Sequence, residues 1–252
     1  MTKISAVVLC KNEEANLAKC LDSIKWCDEI IVIDDFSEDK SGEVAKKFGA
    51  KVYQLLLNEN YANQRNFALK KATHDWVLFL DTDEILPSSL KSEIVRHLQK
   101  NSQINGYYFK RKDIFFNKEI NYGENAKIKL LRLGNKKHGS WKGIVHEKWV
   151  INGKTKTLTS PIVHHPHANL TEFLSKINRY SSIRAQELFL NDNSSNAFQI
   201  IIYPIAKFLK NYVFYQGFRD GIQGFVLATT MSLHSFLVRS KLYILSHEKV
   251  RN

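Results

Sequence analysis

WVLFLDTDEILPSSL, residues 76–90, decides the fold class. Trp76 to Leu80 form a continuous apolar run of strand length, as a strand covered on both faces requires. Three acids, Asp81, Asp83 and Glu84, follow at its tip. Pro87 and Ser88 then open a helix that carries Leu90, Ile94 and Leu98 at helical spacing. Upstream the same strand–helix unit recurs. Residues 4–10, 29–34 and 51–57 read as strands. Between them, Asn12 is placed to cap a helix carrying Leu17, Leu21 and Ile24. Val44, Ala45 and Phe48 mark a second helix closed by Gly49, and residues 62–72 mark a third. Units repeated at this interval predict an α/β fold with a mostly parallel sheet and helices on both faces.

Beyond Gly106 the texture changes. Residues 106–114, 126–133, 144–151 and 155–164 read as strands, with Asn152-Gly153 as a hairpin signal. From Asn169 a helix is expected, with Leu170, Phe173, Ile177, Tyr180, Arg184 and Leu188 on one face. The polar linker NDNSSN (191–196) precedes an apolar, aromatic and basic tail. The expected organisation is therefore a domain over 1–190, including mixed later strands, and a helical C-terminal extension over 191–252.

The 252 residues carry 37 Lys and Arg against 25 Asp and Glu, a net charge of +12. That surplus predicts an anionic partner: nucleic acid, an anionic membrane or a phosphorylated substrate. The basic residues are spread along the chain and match no nucleic-acid motif, so nucleic acid is not expected. Cys10, Cys20 and Cys27 lack the spacing of a zinc site, and three cysteines favour a reducing compartment over a disulfide framework. The N-terminal apolar run is too short for a signal peptide. Residues 221–238 are the longest apolar stretch, but Gln223, Gly224, Thr229, Thr230, Ser232 and His234 interrupt it, against a spanning helix.

In an open parallel sheet, ligands bind beyond the C-terminal strand ends. Those ends here are Cys10-Lys11-Asn12-Glu13, Asp34-Asp35 and Asp81-Thr82-Asp83. So many carboxylates in one crevice call for a cation, and a divalent metal with oxygen ligands is the natural one. No GxGxxG and no GxxxxGK[ST] is present, so a metal bridging a diphosphate is favoured over a glycine loop. Arg65 offers a further positive charge at the same rim. DTDEILPSSLKS (81–92) lacks the glycine that an EF-hand requires. Each acid taken singly also fits a helix cap. His164, His165 and His167 cluster without a tetrahedral zinc pattern.

ISAVVLCKNEEANLAKCLDSI (4–24), EIIVIDDFSEDKSGEVAKKFGA (29–50) and YANQRNFALKKATHDWVLFLDTDEIL (61–86) resemble family 2 glycosyltransferases of the GT-A, Rossmann-like fold. GSWKGIVHEKWV (139–150) and IVHHPHANLTEFLSKINRYS (162–181) resemble the branch of lipopolysaccharide core β-1,4-glucosyltransferases. The resemblance implies a UDP-sugar donor, a divalent metal (Mg or Mn) and a lipid-linked glycan acceptor. It implies that Cys10, Lys11 and Glu13 line the nucleotide site, with Glu13 at the ribose. Asp35 would meet the base, and Arg65 would lie against the nucleotide or diphosphate. Asp81 and Asp83 match the DxD motif, with Asp83 the direct metal ligand and Asp81 nearer the ribose and the metal's waters. The resemblance implies that His164 would touch the diphosphate or complete the metal shell; a strand-end histidine hydrogen-bonded locally is the alternative. The sequence departs from many relatives at Phe36, where they carry glycine. Glu147 is the candidate base for the acceptor hydroxyl, with Asp113 as runner-up, and His146 is structural or acceptor-binding.

The tail offers Phe208, Tyr212, Phe214, Tyr215, Phe218 and Phe225 beside Lys207, Lys210, Arg219, Arg239 and Lys241. This pattern predicts an interfacial helix on an anionic membrane, at the cytoplasmic face. A packed core helix or a dimer contact is the alternative. Gly217, Gly221 and Gly224 would allow close helix packing in either case. Two rival functions stay open at this point: a nucleotidyltransferase, and a non-catalytic nucleotide-sugar-binding protein.

Overall fold

The structure, a computed structural model, describes every residue except Met1, Glu59, Asn101, Ser102, 144–146, His167, Ala168 and 249–252; of Asn125 and Glu248 it describes the backbone only. In chain order the elements are β1 (Ile4–Cys10), α1 (Glu14–Ile24), β2 (Glu29–Asp34), α2 (Ser41–Lys47), β3 (Lys51–Gln54), α3 (Tyr61–Lys71), β4 (Trp76–Asp81), β5 (Glu84–Ile85) and α4 (Ser88–Gln99). Then come β6 (Ile104–Phe115), β7 (Lys118–Ile120), β8 (Lys129–Asn135), β9 (Gly139–Lys142), β10 (Lys148–Ile151), β11 (Lys154–Thr157) and β12 (Ile162–His164). Three helices follow: α5 (Leu170–Leu190), α6 (Ala197–Leu209) and α7 (Ile222–Glu248). The chain forms two compact units, Met1–Arg111 with Ile128–His164, and Lys112–Lys127 with His165–Asn252. The sequence placed the boundary at 190; the packing groups α5 with the helices that follow it.

In the first unit the parallel strands run β3-β2-β1-β4. Cys10 stands opposite Asp34 on β2, and Leu9 opposite Asp81 on β4, so the polar tips of three strands finish level. Side chains alternate across β1. Ala6, Val8 and Cys10 face a core with Leu17 and Leu21 of α1 and Leu90 of α4. Val7 faces the other core, with Ala68 of α3, Phe79, Trp141 and Trp149. Both faces are covered, which is why the strands read as unbroken apolar runs. β8 extends the sheet antiparallel to β4, and β6 antiparallel to β8.

The later strands differ from the sequence reading in detail. The stretch 155–164 is two strands, β11 and β12. Of 144–151 the structure describes Glu147, outside any strand, and β10. Asn152-Gly153 turns the chain, but the strands on either side do not pair with each other. β10 pairs with β9, and β11 lies parallel to β6. The reason is packing: Trp141 of β9 and Trp149 of β10 stack with centroids 5.5 Å apart, and each meets Phe79 edge-on at 5.1 Å. Burying three aromatic side chains in one cluster outweighs a local turn preference.

In the second unit the last residues of β6 pair with β7, and Phe115 and Ile120 pack with Phe173 and Ile177 of α5 and Leu227 and Met231 of α7. Asn169 caps α5 through Glu172 N–H, and Asn196 caps α6 through Gln199 N–H. Pro204 inside α6 lacks an N–H, and its own carbonyl accepts from Ser232 on α7 at 2.7 Å. A π-helical turn, Lys210–Phe214, ends α6. A side chain at Gly224 would meet the carbonyl of Gly217, so that glycine permits close backbone approach. Lys241 of α7 donates to Asn178, Ser181 and Ser182 of α5 at 2.7 to 2.8 Å. Of the aromatic residues expected to face a membrane, Phe208, Tyr212 and Phe225 pack on one another, while Phe214 and Phe218 are exposed. An outward apolar face runs along α6, where Phe198, Ile201, Ile202, Ile205 and Leu209 are all exposed. Among the described residues no helix is long and apolar enough to cross a membrane.

Candidate active site

Asp81 ends β4 between two buried arginines. Arg65, from α3, donates Nη2 to Asp81 Oδ1 at 2.9 Å. Arg132, from β8, donates Nη2 to Asp81 Oδ2 and to Glu84 Oε1, the latter at 2.5 Å. Glu84 is fully buried and closes the turn by accepting the Asp81 N–H at 3.0 Å. Burial works to raise the Asp81 pKa, but the charges and hydrogen bonds of Arg132 and Arg65 outweigh it and hold the carboxyl well below the usual range. For Glu84, burial prevails over Arg132, aided by the Asp81 charge, and its pKa is raised. Under the turn, the buried Cys20 thiol points to the Asp81 carbonyl at 3.4 Å. Burial and then the charges of Glu84, Asp81 and Asp83 push that thiol up.

Arg65 also holds Glu147, donating Nε to its Oε1 at 3.0 Å. One planar guanidinium thus links the candidate base to the strand tip. The guanidinium lies 4.6 Å over Trp141 and 5.6 Å from Phe79, so the aromatic cluster sets its plane. Arg65 Nη1 is buried with no hydrogen-bond partner among the described residues. Asp83 faces His164 of β12, with Oδ2 and Nε2 3.4 Å apart. β12 pairs with β5 through His164 and Glu84, which brings the histidine beside the acidic turn. His146 and His167 lie outside the described residues, and His165 belongs to the second unit. Asp113 is also in the second unit, buried on β6 opposite Ile120.

At the neighbouring tip Asp35 is buried, with Oδ1 accepting Leu57 N–H at 2.8 Å and Oδ2 accepting Lys11 Nζ at 2.8 Å. Lys11 is more than half exposed and closes over Asp35 as a solvent-facing cover. Cys10 is buried, and burial raises its thiol pKa; its carbonyl accepts Asp35 N–H at 2.9 Å. Glu13 precedes α1, its carboxylate accepting from Asn16 at 2.9 Å. Asn12 does not cap α1. It adopts φ +52°, and its side chain accepts Glu38 N–H while its own N–H donates to Ser37. Phe36 has φ +52° and is 48% exposed. The loop therefore keeps the left-handed turn that glycine favours, with a phenylalanine in it.

Arg132 is the working residue that the sequence reading missed, and Glu84 was noted there only as an acid at the strand tip, without its partner. Arg132 sits in LLRLG, within a buried run. An always-charged side chain there needs carboxylate partners, and that signal was legible. Among the described residues no cluster of three or more His, Cys, Asp or Glu side chains could hold a metal. The side chains at this tip that a cation could draw on would be Asp83 and His164, since both Asp81 oxygens are engaged by arginines. Two protein donors suit a divalent ion whose shell is completed by substrate phosphate oxygens and water.

Residues 5–152 match the family model described as Glycosyl transferase family 2. Among relatives, the chain is 28% identical to "Lipopolysaccharide core biosynthesis glycosyltransferase LpsC" of Rhizobium meliloti, over 95% of this chain and 92% of that protein. It is 31% identical to "Uncharacterized glycosyltransferase RT0209" of Rickettsia typhi, over 98% of this chain and 88% of that one. Among solved structures, glucosyl-3-phosphoglycerate synthase from Mycobacterium tuberculosis, with Mn2+, UDP and glucosyl-3-phosphoglycerate, is 27% identical at a TM-score of 0.38. That match covers 44% of each chain, too loose a superposition to bear on this one.

Proposed function

The chain belongs to glycosyltransferase family 2, and from that premise we propose that it moves a hexose, glucose, from a UDP-sugar to a hydroxyl of a lipid-linked glycan such as lipopolysaccharide core, with inversion. The lipid-linked acceptor follows the name of the Rhizobium relative, which spans nearly the whole chain. The observation that carries the mechanism is the Arg65 bridge, which ties Glu147 to Asp81 at 3.0 and 2.9 Å.

In this reading Glu147 is the base. Its Oε1 is fixed by Arg65, and its Oε2 has no hydrogen-bond partner among the described residues. Oε2 takes the proton of the acceptor hydroxyl as that oxygen bonds to the anomeric carbon, and the bond from that carbon to the diphosphate breaks. Attack from the face opposite the leaving group converts an α-linked donor to a β-product. Asp83 and His164 would hold the divalent cation, with Asp81 beside them as the anchor of Arg65. Such a cation, when bound, supplies positive charge against the negative charge growing on the leaving diphosphate. Asp35 would accept from the uracil, Glu13 would meet the ribose, and Cys10 and Lys11 would line the nucleotide. The buried, unpartnered Nη1 of Arg65 suits an anionic ligand. Asp113 remains the second choice of base.

The site of action is the cytoplasmic face of the cell membrane, bound peripherally through the exposed apolar face of α6 and the basic residues around it. Titration of the protein with UDP, with and without Mn2+, tests the donor site. UDP should bind more tightly with Mn2+, and Asp83→Asn should remove that gain. UDP binding that ignores both the ion and the substitution would refute the assignment.

A further inference from the structure

Within the second unit, α5, α6 and α7 line an open cavity of about 350 Å³, in the range of small-ligand sites. Arg184, Lys207, Lys210 and Arg239 line it together with Tyr203 and His234, and no carboxylate does. Two of the four cations are already paired: Arg184 with Glu187 at 2.6 Å, and Lys207 with Glu124 at 2.7 Å. Among the described residues no carboxylate pairs with Lys210 or Arg239. The Arg239 guanidinium carbon lies 4.1 Å from the centre of the Tyr203 ring, a cation–π contact that holds the group in place. Lys210 stands 5.5 Å from the Tyr215 ring. Burial and the charge of Lys207 lower the His234 pKa, which keeps the ring neutral beside these cations. Two unneutralised cations in a concave, partly apolar site favour an anion carrying two charges.

The direction of α6 identifies the source of that anion. Its exposed apolar residues, Phe198, Ile201, Ile202, Ile205 and Leu209, share one face. Its cavity-lining residues, Tyr203, Ala206 and Lys207, lie about 130° round the helix at 3.6 residues per turn. A helix lying in a membrane surface with its apolar face inward carries residues a third of a turn away at the level of the headgroups. The cavity and the apolar face therefore serve one ligand, whose anion and acyl chains lie at those two depths. We propose that the α5–α6–α7 cavity seats the phosphomonoester headgroup of an anionic membrane lipid while the apolar face of α6 enters the acyl region. This inference rests on the membrane reading given above, and it adds a stoichiometric site to what would otherwise be diffuse charge attraction.

The test compares the full chain with Lys210→Gln/Arg239→Gln in vesicle sedimentation, using phosphatidylcholine vesicles that carry phosphatidic acid, or phosphatidylserine at equal surface charge. A parallel titration uses soluble dihexanoyl phosphatidic acid and inorganic phosphate, and circular dichroism checks that each variant is folded. The wild type should prefer phosphatidic acid, and the double variant should lose about 25-fold in that affinity, about fivefold per cation, so that the preference disappears. Dihexanoyl phosphatidic acid should still bind to Ile201→Ser/Ile205→Ser, which leaves the cavity lining intact but loses vesicle binding. Equal binding to both vesicles, weakened equally by the double variant, would overturn the cavity and leave the membrane reading standing. Absence of binding to either vesicle would overturn both. Inorganic phosphate binding as tightly as dihexanoyl phosphatidic acid would overturn the assignment to a lipid.

Discussion

Replacing Arg132 with Met removes the cation that joins Asp81 to Glu84 while keeping the volume of an unbranched side chain. Glu84 and Arg132 are both almost fully buried, with side-chain exposures of 1% and 5%. Losing one partner of a buried pair costs about 3–5 kcal/mol, because the other charge stays without compensation. Asp81 is 39% exposed and still held by Arg65, so its share is smaller. For a chain of this size that total corresponds to a fall in Tm of about 6–20 °C. The pH dependence gives the mechanism away. The raised pKa of Glu84 means that its charged form opposes folding as pH rises through that value, and the variant raises it further. Glu84 then folds as the neutral acid, so the penalty of Arg132→Met should shrink as pH falls toward 5. Glu84→Gln in the Arg132→Met background should recover part of the loss, since no buried charge is stranded. Thermal unfolding at pH 5 and pH 8 measures all of this. A loss under about 1 kcal/mol that does not change with pH would refute the clamp.

Four further outcomes follow from the same geometry. Glu147→Gln should lower turnover by about two to four orders of magnitude with UDP affinity unchanged; a loss under about tenfold in a steady-state assay would move the base to Asp113 or elsewhere. Asp83→Asn should keep the fold by circular dichroism and lose most turnover, and full activity of this variant in EDTA would oppose metal dependence. Phe36→Gly should raise stability by about 0–1.5 kcal/mol, since left-handed backbone costs a side chain about 1–2 kcal/mol and glycine returns about 0.5–1 as unfolded-state entropy; a lower Tm would contradict the strain. Despite burial, hydrogen bonds from Lys51, Ser5 and Thr73 lower Glu29, and bonds from Thr159 and Ser160 lower Glu93, each to about 2. The stability they add is present above the unfolded carboxylate range and is lost as pH falls toward 2, so Glu93→Gln should be less stable than wild type at pH 7 and the difference should close as pH falls toward 2; a difference that does not change with pH in thermal unfolding would contradict it.

The parallel half of the fold was legible because its strands are buried on both faces. Runs such as EIIVID and WVLFLD have no other physical use than a covered sheet, and the helices between them show their apolar stripes. The acidic tips followed from topology alone. The contacts that organise them did not. Arg65 reaches Glu147 across 82 positions of chain, and Arg132 reaches Glu84 across 48. No local pattern encodes such pairings, although a buried arginine in LLRLG advertises that some pairing exists. Asn152-Gly153 misled because turn chemistry specifies a bend and not which strand lies beside it. Asn12 misled because its amide bonds the loop after β2 instead of α1. In the tail, aromatic content drew attention to Phe208 and Tyr212, which pack together. Phe214 and Phe218 of the same set are exposed, and the i, i+3, i+4, i+7 spacing from Phe198 to Ile205 marks the outward face of α6 itself.

The most direct measurement is NMR of the product formed from UDP-glucose, Mn2+ and a truncated lipid-linked glycan, run with the wild type and with Glu147→Gln. The account predicts release of UDP with a new β-glucosidic linkage from the wild type, and its near disappearance with Glu147→Gln. An α-linked product, or equal yields from the two proteins, would contradict it.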